Sequence, residues 1–226
     1  MKWLKVLSEK PWLPEAAGIV PELGQTSYMP PIKITVNVLM IIISVFFLLF
    51  FITFITRSQY ADFRALAGEP WQPFTDSWRL WINTAVLLLA SMTMHKAVTS
   101  LRRGNRQYLH GYLAAGGFFA GLFIILQISV WQYLLNLGYG VAANPANSYF
   151  YILTGLHGLH LFGGLIALGR ILNSLAKNHH PQKQWAIIEA CTRYWHYLFV
   201  LWLVLFFILT RTPETYAFIA AACGLG

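Results

Sequence analysis

The chain has 226 residues, 57% of them hydrophobic and only 11% charged, whereas a water-soluble domain carries about 25% charged residues. Its net charge of +8 invites a nucleic-acid partner, but the basic side chains fall between long apolar runs, so no nucleic acid is expected. Five apolar segments, each of about the 20 residues that cross a bilayer core, predict instead an all-α integral membrane protein built as a five-helix bundle.

Residues 1–33 form a proline-rich lead-in. Its opening, MKWLKVLSEKPWLPEAAG, is not expected to act as a signal peptide, because prolines and acids interrupt any apolar core. A single membrane domain is expected over about 34–210, with spans at about 34–56, 79–99, 111–136, 149–172 and 192–210, followed by a tail at 211–226. The first span has no charge between Lys33 and Arg57. The link after the second span holds Arg102, Arg103 and Arg106 without an acid, with Lys96 just before it. The 137–148 link, NLGYGVAANPAN, is uncharged, and the next carries Lys177 and Lys183 between Arg170 and Arg193. Positive loops stay in the cytoplasm. The N-terminus is therefore expected in the cytoplasm and the C-terminal tail in the periplasm. The 57–79 link then lies outside, where Asp62, Glu69 and Asp76 balance Arg57, Arg64 and Arg79. Trp71, Trp78, Trp81, Trp131 and Tyr133 sit near span ends, as an interfacial belt requires.

Polar residues within the spans are few, and such residues normally face protein. No span has a carboxylate at its middle, which argues against a self-contained proton pump. In the fourth span, TGLHGLHLFGG places His157 and His160 three residues apart. Imidazoles suit haem or copper, with His95 or His196 as a further ligand; the competing reading is hydrogen bonding in a crowded helix interface. Gly155, Gly158, Gly163 and Gly164 permit close helix packing there, and Gly117 with Gly121 makes a GxxxG in the third span. Asn83, Thr84, Ser91 and Thr93 lie on the second span, with Thr93 suited to bonding its own helix. Gln127 is the deep polar residue of the third. Glu189 precedes Arg193 by one helical turn, a favourable pairing; alternatively the Arg193 guanidinium holds a lipid phosphate. Tyr194, Trp195 and His196 follow, opening the fifth span. Cys191 and Cys223 lack zinc-site spacing and are assigned no chemistry.

Three of these segments occur in one order. They are NT…S-x-T from Asn83 to Thr93, SYFYILTGLHGLH from Ser148 to His160, and Glu189 followed by the Tyr194–His196 YWH and Trp202. The chain thereby resembles subunit III of the haem-copper respiratory oxidases, in the short five-helix form of bacterial quinol oxidases. The resemblance implies an accessory subunit, without catalytic residues of its own, of a proton-pumping cytochrome c or quinol oxidase that reduces oxygen to water in the bacterial inner membrane. It implies direct contact with subunit I, with subunit II and a small subunit IV in the same complex. Haem and copper are then expected in those partners, no cofactor in this chain, and phospholipid bound against it. Glu189, Arg193, Tyr194, Trp195, His196, Asn83 and Gln127 become a lipid or inter-helix network. Gly117, Gly121, Gly155, His157, Gly158, His160, Gly163 and Gly164 become packing residues. The chain departs from the family at Val130 and Phe199, where acids are usual, which points to a divergent branch. The competing readings are an accessory subunit of a nitric oxide reductase, a stand-alone transporter or assembly factor, and a cytochrome with His157 and His196 as axial ligands.

Overall fold

Proline starts four of the helices. The computed structural model describes residues 31–60, 63, 78–105, 107–177, 181–211 and 213–224. Within them lie α1 (Pro31–Ser58), α2 (Trp78–Arg102), α3 (Leu109–Asn136), α4 (Pro145–Ala176), α5 (Pro181–Leu209) and α6 (Pro213–Ala222), with no strand among the described residues. At Pro31, Pro145, Pro181 and Pro213 the missing N–H is no loss, because a first helical turn leaves that donor unpaired in any case. Asn144 caps α4 by accepting from the Asn147 amide at 3.0 Å. Gly104 (φ +75°) and Gly138 (φ +87°) end α2 and α3 in a left-handed conformation that a side chain disfavours.

Five of these helices are long and apolar enough to cross a membrane, and the chain is a multi-pass membrane protein. Two boundaries differ from the sequence expectation. α5 starts at Pro181, well before residue 192, so Glu189 and the YWH run lie inside the helix. The tail contains α6, which docks on α1 through Tyr216. The Tyr216 ring stands edge-on to Phe54 at 5.2 Å, and its hydroxyl donates to the Ile208 carbonyl at 2.6 Å. That burial pushes the phenol pKa upward. Arg64, Arg106, Trp71, the balancing acids of the 57–79 link and residues 1–30 of the lead-in fall outside the described residues, while 31–33 open α1.

α2, α3, α4 and α5 form a ring in that order, and α1 lies outside it against α4 and α5. The ring's interior holds Leu87, Met94, Phe123, Leu153, Leu161, Trp195 and Trp202, all fully buried. The outside is as apolar as the inside. Ile41, Phe46, Leu48 and Leu49 project from α1, Phe118 and Ile125 from α3, and Leu159 and Phe162 from α4. A water-soluble protein does not carry such a surface, and a lipid-facing one requires it.

The glycines divide. A Cβ on Gly164 would stand 3.2 Å from a Tyr194 ring carbon and 3.5 Å from Trp195, so α4 and α5 approach there as closely as they do because position 164 has no side chain. Gly117 would meet Leu168 at 3.0 Å, and Gly155 would touch Trp131 at 3.7 Å. Gly121, Gly158 and Gly163 would meet nothing within 4 Å, so the close contacts expected of them do not form within this chain. The GxxxG is thus only half used. The tightest approach belongs to Gly116, beside the motif, where a Cβ would stand 2.7 Å from Met94 Cε. Gly164→Leu is expected to destabilise the purified chain by about 1–3 kcal/mol, since two rigid rings must move. Gly158→Leu should leave its thermal unfolding midpoint unchanged; equal losses from both would contradict this packing.

Candidate functional site

Several of the polar motif residues join one helix to another. Asn83 on α2 donates through Nδ2 to Gln127 Oε1 on α3 at 2.8 Å, with both side chains buried. Next to it, the Trp202 indole on α5 donates to Thr84 Oγ1 on α2 at 3.0 Å. The Thr84 hydroxyl donates its own hydrogen bond to the Leu80 carbonyl at 2.8 Å, which leaves a lone pair free for the indole. The same device recurs between α3 and α4. Trp131 Nε1 donates to Thr154 Oγ1 at 3.1 Å, while that hydroxyl donates to Phe150 O at 2.7 Å. Trp131 is therefore an interior tie rather than only a belt residue. Thr93 bonds its own helix through Leu89 O at 3.0 Å and Ala90 O at 2.8 Å.

The YWH run distributes α5 among its neighbours. Tyr194 donates to the His160 carbonyl on α4 at 3.2 Å, and His196 Nδ1 lies 2.6 Å from Ser91 Oγ on α2. Trp195 is buried against Gly164. The following Tyr197 reaches α1, with its hydroxyl 2.9 Å from Ser44 Oγ. Three helices are thus held by four consecutive side chains, at angles set by the 100° step of the helix.

His157 and His160 have different surroundings. His160 Nδ1 donates to Leu156 O at 2.7 Å, and its ring lies 6.0 Å from Phe47 of α1. His157 is completely buried. Its ring leans on Trp202 at 5.3 Å and stands edge-on to Phe123 at 5.8 Å, and neither nitrogen has a hydrogen-bond partner among the described residues. His157 therefore packs through its ring and makes no hydrogen bond among the described residues. Among the described residues no three or more His, Cys, Asp or Glu side chains cluster as a metal site. Val130 is buried and Phe199 packs against the core, so acids at these two positions would meet apolar walls.

At the end of the bundle that carries Arg102, Glu189 binds Lys33 of α1 at 2.6 Å and Arg102 of α2 at 3.1 Å. The Glu189–Arg193 pair expected from their spacing gives way to these partners, and Arg193 donates to Asn37 of α1 at 3.2 Å. Lys33 and Arg102 carry no signal in the sequence beyond their charge, because they stand 156 and 87 residues from Glu189.

His157→Leu is expected to change stability by less than about 1.5 kcal/mol, because a volume-matched apolar group loses no hydrogen bond. Trp202→Ala should cost about 3–5 kcal/mol, and Trp202→Phe about 1 kcal/mol for the lost Thr84 bond. Equilibrium unfolding in detergent, followed by tryptophan-independent circular dichroism, checks all three.

A profile of the family described as cytochrome c oxidase subunit III matches residues 23–211. The cytochrome c oxidase subunit 3 of Thermostichus vulcanus is 33% identical over 165 residues, covering 67% of this chain and 79% of its own. That of Synechocystis is 32% identical over 128 residues, or 56% of this chain and 54% of its own. The cytochrome bo(3) ubiquinol oxidase subunit 3 of Pseudomonas putida is 29% identical over 125 residues, covering 55% and 60%. The profile takes in all five membrane-length helices and every inter-helix tie between them, and this chain belongs to the cytochrome c oxidase subunit III family.

Proposed function

We propose that this chain is the accessory third subunit of a proton-pumping haem-copper terminal oxidase in a bacterial inner membrane. The reading is carried by one observation, that the family's polar residues here lie between helices and tie them together. Such a chain supplies a rigid apolar body. It would pack against the catalytic subunit I, with subunit II and a small subunit IV in the same assembly. Haem and copper would be held by those partners. The part played by this chain is to cover the lipid-facing side of the catalytic subunit and keep its fold intact during turnover.

A groove between α1, α4 and α5 supports a second part of the reading, the holding of phospholipid. It encloses about 480 Å³ and is lined by Ile32 and Leu39 of α1, Gly163 and Ala167 of α4, and Ile187 and Cys191 of α5. The lining suits an acyl chain. Arg193, exposed and bonded to Asn37, offers a guanidinium to a headgroup phosphate at the same α1–α5 seam. Purification in mild detergent tests both parts. A haem-bearing chain that consumes oxygen should co-purify, with phospholipid seen by native mass spectrometry and diminished in Arg193→Ala. A chain that purifies alone and drives solute uptake in vesicles would overturn the subunit reading, and reduction of nitric oxide rather than oxygen would assign it to a different complex.

The positive links set the expected orientation, with residues 1–33 in the cytoplasm, the five-helix domain at 34–210 and the 211–226 tail in the periplasm. Cys223 is exposed and Cys191 buried. A membrane-impermeant maleimide added to spheroplasts should therefore label the chain at Cys223. Labelling only after the cells are opened would reverse the topology.

A further inference from the structure

An imidazole at membrane depth is costly in hydrocarbon and faces protein or water instead. The outer surface of α1 obeys this, exposing Ile41, Val45, Phe46 and Leu49. So does the outer surface of α3 and α4, with Phe118, Ile125 and Phe162. The α2–α5 face does not. His95 on α2 is exposed, and its ring lies 5.7 Å from that of half-buried His196 on α5. Ser91 Oγ, at 2.6 Å from His196 Nδ1, fixes that ring and turns Nε2 away from the serine.

The depth of the pair follows from the bundle's own ion pair. His95 precedes Arg102 by seven residues, His196 follows Glu189 by seven, and Arg102 binds Glu189. At 1.5 Å per residue both rings stand about 10 Å further into the membrane than that salt bridge. Exposed Lys96, Arg170 and Arg193 have long stems that reach a headgroup layer from such positions. An imidazole on one methylene does not. His110 is exposed too, but in the first turn of α3. His95 is therefore open on this chain at a level where lipid is a poor neighbour, which calls for cover by another polypeptide.

We propose that the α2–α5 face around His95 and His196 is the surface that meets the oxidase's catalytic subunit, and that the partner there is a transmembrane helix carrying a carboxylate. This rests on the reading of the chain as a third subunit and adds the face and the chemistry of contact. The face offers imidazole hydrogen-bond donors from His95 and His196, with the Lys96 ammonium at its headgroup edge. The acid nearest on α5, Glu189, is already bridged by Lys33 and Arg102. A carboxylate on the partner answers that imbalance. Exposed Met92 and Val200 surround the pair with apolar surface, and the flexible thioether adapts to a facing helix.

Photo-crosslinking in membranes carrying the whole complex tests the face, with benzoylphenylalanine placed singly at Met92, Ile41 or Phe118. Met92→benzoylphenylalanine should join the catalytic chain, within a span that contains Asp or Glu, and the other two should give lipid adducts. In parallel, His95→Glu should lower the amount of chain retained per catalytic subunit about tenfold or more, through like-charge contact, while His95→Gln changes it little. Co-purification with adducts only from Ile41 or Phe118 overturns this face and leaves the third-subunit reading standing. Failure of any catalytic chain to co-purify removes both. A stoichiometric zinc or copper ion lost in His95→Gln assigns the rings to a metal and overturns the carboxylate partner.

Discussion

Trp202 holds four helices at one point. It belongs to α5, donates its indole proton to Thr84 on α2, stands edge-on to Phe123 on α3 at 4.8 Å and supports His157 on α4. In a membrane there is no hydrophobic drive to bring apolar helices together, since lipid tails are as apolar as leucine. Association then depends on shape, on close approach and on a few hydrogen bonds that lipid does not offer. The Trp202 contacts supply all three. The Asn83–Gln127 bond and the Trp131–Thr154 bond extend them across the remaining interfaces of the ring. The arrangement of α2 to α5 follows from this small set of buried polar and aromatic side chains, and the large apolar surface follows from the solvent.

Much of this was legible in the sequence, because the bilayer enforces a single strong rule. Runs of about 20 apolar residues must be helices when each backbone group needs a partner within its own segment. The polar residues worth attention were legible for the same reason: Asn83, Gln127 and His196 stand out against an apolar background, and each joins two helices. Their partners were less so. Asn83 and Gln127 pair with each other, which needs the helices side by side, and Ser91 as the partner of His196 needs the phase of both helices. Glu189 shows the limit plainly. Spacing suggested Arg193, four residues away, whereas the fold supplies two cations from distant helices. A local rule ranks the neighbour in sequence and has no knowledge of the neighbour in space.

The glycines show a related limit. A GxxxG marks a helix face able to receive another helix, and says nothing about whether one lies there. In this chain Gly117 meets Leu168 and Gly121 meets nothing, while Gly116, on an adjacent face, takes Met94. The histidines repeat the lesson. Three residues of separation put His157 and His160 about 60° apart around α4, enough for one to enter the ring's interior and the other to border α1. A pair that reads as a ligand motif along the chain divides into an aromatic packing unit and a backbone-capped side chain.

The bridge between Lys33 and Glu189 also has a consequence for biogenesis. Its two ends are 156 residues apart, so α1 leaves the ribosome and enters the bilayer long before α5 exists to receive it. Until α4 follows it has no partner among the membrane-length helices of the ring, and until α5 follows Ser44 lacks Tyr197 and Lys33 lacks its acid. Its most apolar stretch, more apolar than that of any of the other four, allows it to wait in lipid. The less apolar helices that follow can insert beside companions already in place, and the last of them closes the assembly by capturing the first.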